Sequence, residues 1–154
     1  MTELRFDFPA LPVSVNRLYR PVAGGRRTLT DAGKAYRNNF VTSGGGVPKA
    51  KLLQFSANPD SAYQVSLWFY FPFDELYNAT YGEDKRVKSP FKDVDVDNLA
   101  KLAIDCIAQL LGIRDRNNFS VCLHKREAPD SRHRMVAIVL PLNLDEDPFP
   151  LPAN

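Results

Sequence analysis

The sequence predicts an α+β fold, with a mixed β-sheet packed against two main helices in the order β-α-β-α-β-β. Three observations predict it. Four segments read as strands from alternation or from aromatic and β-branched content. Two others carry helix start signals, and one of these has a clear apolar stripe. The length, 154 residues with 44% hydrophobic and 25% charged content, suits one domain with a continuous core. No repeat or internal domain boundary is visible.

Taken in order, "LRFDF" (Leu4 to Phe8) alternates apolar and polar residues, as a strand with one buried face does. "PALPVSVNRLYRP" follows, and its prolines at 9, 12 and 21 forbid a regular helix. "VAGGRRTLT" reads as a basic glycine turn. A short helix starts in "TDAGKAYRNNF" with Thr30 as its N-cap, and "TSGGGVPK" ends it as a flexible loop. "AYQVSLWFYFPF" (Ala62 to Phe73) is the strongest strand signal. The stretch from Asp74 to Lys92 lacks periodicity, and loops that long in a compact domain tend to be functional or mobile.

A second helix is expected from about Asn98 to Leu111. Leu99, Leu102, Ala103, Cys106, Ile107 and Leu110 form its core-facing stripe, and Gly112 stands where a left-handed cap would stop it. "FSVCLHKRE" and "RMVAIVLPL" read as two final strands joined by "APDSRH". The folded domain is placed at residues 1–141 and an acidic, proline-rich tail at 142–154.

Bulk properties narrow the function. The formal charge is +2, so any nucleic-acid affinity must come from local basic patches. No apolar run approaches the roughly 20 residues that span a bilayer, so no membrane association is expected. The start "MTELRFDFPALPV" lacks the apolar core of a secretion signal. Cys106 and Cys122 have no metal spacing and read as small buried hydrophobes, which suits a reducing cytoplasm. His124, within a strand, and His133, at a turn, read as structural residues.

The segment "KDVDVDNLAKLAIDCIAQLLGI" (Lys92 to Ile113) carries the chemistry. Asp93, Asp95 and Asp97 alternate with Val94 and Val96, so an extended backbone sends the acids to one side and the valines to the other. Capping accounts for Asp97 as N-cap and for part of Asp95. Three acids so close repel each other, and a basic side chain or a divalent cation should compensate. An EF-hand is rejected, because Asn98 and Ile104 stand where its loop needs Gly and Glu. A hard, oxygen-ligand site for Mg²⁺ or Mn²⁺ remains. Lys101, one turn after Asp97 and one before Asp105, is either the middle of a surface ion-pair ladder or a cation for a scissile phosphate.

Two blocks resemble the RusA family of Holliday-junction resolvases. "LPVSVNRLYRPVAGGRRTLTDAGKAYRNNF" is similar to the family's Pro-x-Ser-x-Asn-Arg, basic turn and Ala-Tyr-Arg helix. "DVDNLAKLAIDCIAQLLGI" is similar to its Asp-x-Asp-Asn-x-x-Lys helix followed by Gly. Residues 41–60, the 74–92 insertion and the tail fall outside the likeness. The resemblance implies an Mg²⁺-dependent, structure-selective endodeoxyribonuclease, with Mn²⁺ able to substitute. It would act as a homodimer without organic cofactor, resolving four-way DNA junctions by paired phosphodiester hydrolysis. It further implies that Asp95 and Asp97 are metal ligands, that Lys101 is the basic catalytic residue, and that Asn16 and Arg17 lie near the active site. The family has two adjacent acids after the helix-ending Gly, whereas "GIRDRNNF" offers Asp115 followed by Arg116. Asp115 is the expected third ligand and Asp93 its alternative. A basic residue usual before the first ligand is replaced by Val94. The alternative function is a non-catalytic branched-DNA-binding protein with an incomplete metal site.

Phosphate contacts are expected from Asn16, Arg17, Arg20, Arg26 and Arg27 in the first block and from Lys85, Arg86 and Lys88 in the insertion. Tyr19 and Phe91 are candidates for stacking on bases, against the plainer reading of core or rim residues.

Overall fold

The computed structural model describes residues 3–55 and 57–146. The first strand, β1 (Leu4–Phe8), buries Leu4, Phe6 and Phe8 and leaves Arg5 exposed, as its alternation requires. Between Pro12 and Pro21 the chain manages a single helical turn, α1 (Val15–Leu18). The basic glycine segment is a small hairpin, β2 (Tyr19–Pro21) and β3 (Arg27–Leu29). Helix α2 (Asp31–Thr42) starts at Thr30, whose hydroxyl accepts the Gly33 N–H at 3.3 Å.

The glycine run is not a flexible loop. Gly44–Gly46 form a 3-10 turn whose first two residues are buried. Each glycine has positive φ, and Gly46, at +80°, is so close to β1 that a Cβ would sit 2.1 Å from the Asp7 carbonyl oxygen. The sequence reading saw only the flexibility of glycine, not the backbone approach that glycine permits. Helix α3 (Lys49–Phe55), which the sequence reading did not assign, follows.

Strand β4 (Ala62–Phe71) buries every second residue from Tyr63 to Phe71. The expected long loop after it is partly ordered. It begins with a helical turn, α4 (Phe73–Leu76), and closes on itself through an isolated bridge between Tyr77 and Phe91. Helix α5 (Asp97–Leu111) ends at Gly112 in the left-handed conformation, φ 68°. Strands β5 (Asn118–Glu127) and β6 (Arg134–Leu142) complete the described fold. Tail residues 147–154 lie outside the described residues.

The four long strands form one mixed sheet in the order β1-β6-β4-β5. β6 is antiparallel to both β1 and β4, and β5 runs parallel to β4. The result is a single α+β domain of the expected class. Its core lies between one sheet face and the helices, where Phe6, Leu67 and Phe69 meet Phe40, Leu102 and Ile107. Cys106 is buried there, and burial pushes its thiol up to about 12. Cys122, expected to be buried, is only half-buried, because β5 is a sheet edge. No helix among the described residues is long and apolar enough to cross a membrane.

An ion pair joins β1 to β6. Arg134 Nε donates to Asp7 Oδ1 at 2.7 Å, and Nη2 donates to Oδ2. The Arg134 hydrogen bonds lower the Asp7 carboxyl below its ordinary value of 3.8, against a smaller opposing effect of burial. A lowered folded value stabilises the fold above the unfolded pKa, and that stability is lost as pH falls through the folded value. Both side chains are 42% exposed, so solvent screens the pair. Asp7→Asn should therefore cost no more than about 1 kcal/mol at pH 7. The difference from wild type should vanish once the pH is below the folded Asp7 value, as urea midpoints across an acid series would read.

Gly46→Ala should cost roughly 2–4 kcal/mol, because it combines a left-handed backbone with a collision against backbone. Gly24→Ala, with φ +81° but open space around its Cβ, should cost about 1 kcal/mol. Chemical denaturation of the two variants checks the contrast.

Candidate active site

The site is built at the entrance to α5. Asp93, Asp95 and Asp97 are exposed, while Val94 and Val96 pack against the core. Burial thus keeps the alternation that the sequence suggested. The helix, however, begins one residue earlier than expected. Val96 already has helical dihedrals, φ −74° and ψ −24°, and no side chain caps the helix. Asp97 is therefore a first-turn residue and not the N-cap. It still gains from the helix dipole, but its carboxylate is not committed to backbone N–H groups. Asn98 Nδ2 lies 3.5 Å from Asp95 Oδ2, at the limit of a hydrogen bond. Among the described residues no basic side chain pairs with any of the three acids.

Lys101 turns away from them. Its ammonium donates to Asp105 Oδ1 at 2.9 Å and lies 3.6 Å from Asp115 Oδ2. The hydrogen bond to Asp105 chiefly holds the lysine above its ordinary value, with a smaller contribution from Asp115. The expected ladder Asp97–Lys101–Asp105 is therefore only half formed, and Asp115 replaces Asp97. The reason lies past the helix. Asp115 opens a 3-10 turn, Asp115–Asn117, secured by the buried Asn117. The Asn117 amide donates to the carbonyls of Pro59 at 2.6 Å and Ser61 at 2.9 Å, and its oxygen accepts the Arg114 N–H at 2.9 Å. Asn117 carries no local signal of this role, because the carbonyls it binds lie more than fifty residues upstream.

Among the described residues no three Asp, Glu, His or Cys side chains are grouped to hold one metal ion. Asp95 and Asp97 are exposed and, among the described residues, form no ion pair, while Asp115 lies 3.6 Å from Lys101.

The first block reaches the same place. Thr30 anchors α1 by donating its hydroxyl to Arg17 O at 2.8 Å and its N–H to Leu18 O at 2.9 Å. Leu18 is fully buried, α1 packs on α5, and Tyr19 comes within electrostatic reach of Lys101. Asn16 and Arg17 are exposed on this turn. An open cleft of about 400 Å³ is lined by Val15, Asn16, Tyr19, Arg20, Pro21 and Arg27. Arg26 is exposed at the hairpin tip, and Arg20 makes a loose pair with Asp31 at 3.9 Å. Tyr19 is half-buried, a rim residue.

In the insertion, Lys85, Arg86 and Lys88 are exposed. Arg86 is forked onto Asp84 at 2.8 Å, which offsets its charge and holds the Asp84 carboxyl below its ordinary value. Neither histidine joins the site. His124 stacks on Trp68 with ring centroids 4.9 Å apart, and His133 Nε2 lies 2.7 Å from Glu75 Oε2. No protein-family model matches the chain, and no curated protein matches it.

Proposed function

We propose that the chain is a metal-dependent, structure-selective endodeoxyribonuclease of the RusA type, acting on four-way DNA junctions. One observation carries this reading. α1 packs on α5, so the first block, through Tyr19, comes within electrostatic reach of Lys101, eighty-odd positions later in the chain.

Asp95 and Asp97 suit a hard divalent ion, since Mg²⁺ is commonly held by one or two carboxylates together with the substrate's phosphates. Such an ion, when bound, polarises a phosphate oxygen and lowers the pKa of a water. The chain's own residues do the rest. Asp105 fixes the Lys101 ammonium, which offers positive charge to the phosphate as it gains negative charge. Asn16, Arg20 and Arg27 in the cleft, with the exposed Arg17 and Arg26 nearby in the chain, bind backbone phosphates, and this grips DNA without reading its sequence. A third acid comes from Asp115 if its contact with Lys101 opens, or from Asp93. An isologous homodimer fits paired nicks in a two-fold junction.

The Lys101–Asp115 contact favours a second reading, in which the same fold binds branched DNA without cutting it. A nicking assay on a synthetic four-way junction, with Mg²⁺, with Mn²⁺ and with neither, decides between them. Metal-dependent paired nicks are expected. Asp95→Asn and Asp97→Asn should each abolish cutting while junction binding survives, and full nicking by either variant would refute the reading. Lys101→Met should slow cutting by about a hundred- to a thousandfold. It should shift stability by no more than about 1 kcal/mol, because the lysine is 45% exposed. Comparing Asp115→Asn with Asp93→Asn identifies the third acid, as whichever is required will lose cutting.

A further inference from the structure

The insertion between β4 and α5 holds a feature that the nuclease reading leaves unused. Phe73 and Tyr77 lie with ring centroids 4.8 Å apart, and Tyr77 and Phe91 with centroids 6.0 Å apart. Phe73 is 50% exposed and Phe91 is 62% exposed. Large aromatics left in water at this density mark a binding surface more often than a structural need. The ring positions are fixed by backbone. Asn78 N–H donates to Pro90 O at 2.8 Å and Lys92 N–H to Leu76 O at 2.9 Å, while Asn78 Nδ2 donates to the carbonyls of Ser89 and Phe91.

Beside the rings runs the end of edge strand β5. A cleft of about 240 Å³ is lined by Leu76, Tyr77, Phe91, Lys125, Arg126 and Glu127. Lys125 and Arg126 are exposed, and among the described residues neither pairs with a carboxylate. Glu127 is the one anion lining the cleft. Exposed ring faces next to unpaired cations match an unpaired nucleotide, whose base stacks and whose phosphate is negative. A duplex hides its base faces and would gain only the charge.

We propose that Phe73, Tyr77 and Phe91, with Lys125 and Arg126, form a stacking platform for unpaired nucleotides. The proposal rests on the nucleic-acid reading of the chain but not on catalysis. Phe91 precedes Asp95 by four residues, so the Cα atoms of these two residues lie within about 14 Å of each other. Bases displaced at a branch would be held there while the adjoining backbone reaches the acids.

The test is fluorescence anisotropy with labelled dT15 and with a 15-base-pair duplex, both in EDTA so that no strand is cut. Wild type should bind dT15, and Phe91→Ala should weaken that binding roughly five- to a hundredfold. Phe91→Tyr should stay within about twofold of wild type, because the ring face is kept. Duplex affinity should change little in either variant. Phe73→Ala serves as an independent second variant, and thermal melts of each confirm folding. Unchanged dT15 binding by both alanine variants overturns the platform, as does failure of wild type to bind dT15, which would leave the rings to a protein partner. Phe91-dependent binding by a protein that never nicks a junction upholds the platform and sinks the nuclease. Nicking with no role for Phe91 or Phe73 in dT15 binding does the reverse.

Discussion

The parallel pairing of β4 with β5 is the constraint on which the rest of the molecule depends. Two parallel neighbours cannot be joined by a tight turn, so the chain must leave the end of β4 and return to the start of β5 by a crossover. Helix α5 is that crossover, and its apolar stripe closes the core against the sheet. The stretch between β4 and α5 is thereby set at one end of the sheet. It carries both the aromatic insertion and the acidic run. The 3-10 turn after Gly112 follows from the same geometry, because the chain must be turned into β5. Asn117 supplies the turn by tying it to the carbonyls of Pro59 and Ser61, just ahead of β4.

Charge is distributed unevenly around that crossover. Lys101 is held between Asp105 and Asp115, whereas Asp93, Asp95 and Asp97 face water without a basic partner among the described residues. Exposure explains how the three acids coexist, since water screens repulsion that a dry interior would magnify. Val94 and Val96 hold them in place by packing beneath them. An acid run kept in solvent by its apolar neighbours is available to a ligand, which the capping explanation alone would not provide. No side chain caps α5, and among the described residues no ion pair engages the Asp97 carboxylate.

The first block reaches the site by a different device. α1 is only one turn long and has too few internal hydrogen bonds to stand alone. Thr30 takes up its last carbonyls while capping α2, and Leu18 inserts into the core. One threonine thus orients two helices and, with them, the exposed Asn16 and Arg17.

Local pattern was enough for much of this. Alternation placed β1, aromatic and β-branched content placed β4, a 3.6-residue stripe placed α5, Thr30 marked the start of α2 and Gly112 the end of α5, because each signal depends on residues within one or two turns. The alternation of the acids with Val94 and Val96 was legible for the same reason. What local pattern could not decide was which charges meet. Asp115, and not Asp97, sits beside Lys101, because a turn secured by Asn117 through carbonyls more than fifty residues away brings it there. The glycine run looked mobile because its contact, the backbone of β1, is likewise remote in sequence. Phe91 sat in a stretch without period and Phe73 at the expected end of the preceding strand, which in fact stops at Phe71, and the bridge between Tyr77 and Phe91 gathers the rings. Sequence by itself determined the four long strands and helices α2 and α5. The tertiary structure alone decided the Lys101–Asp115 and Asp7–Arg134 pairs and the approach of Phe91 to Tyr77, since each depends on a distance between separate segments of the chain.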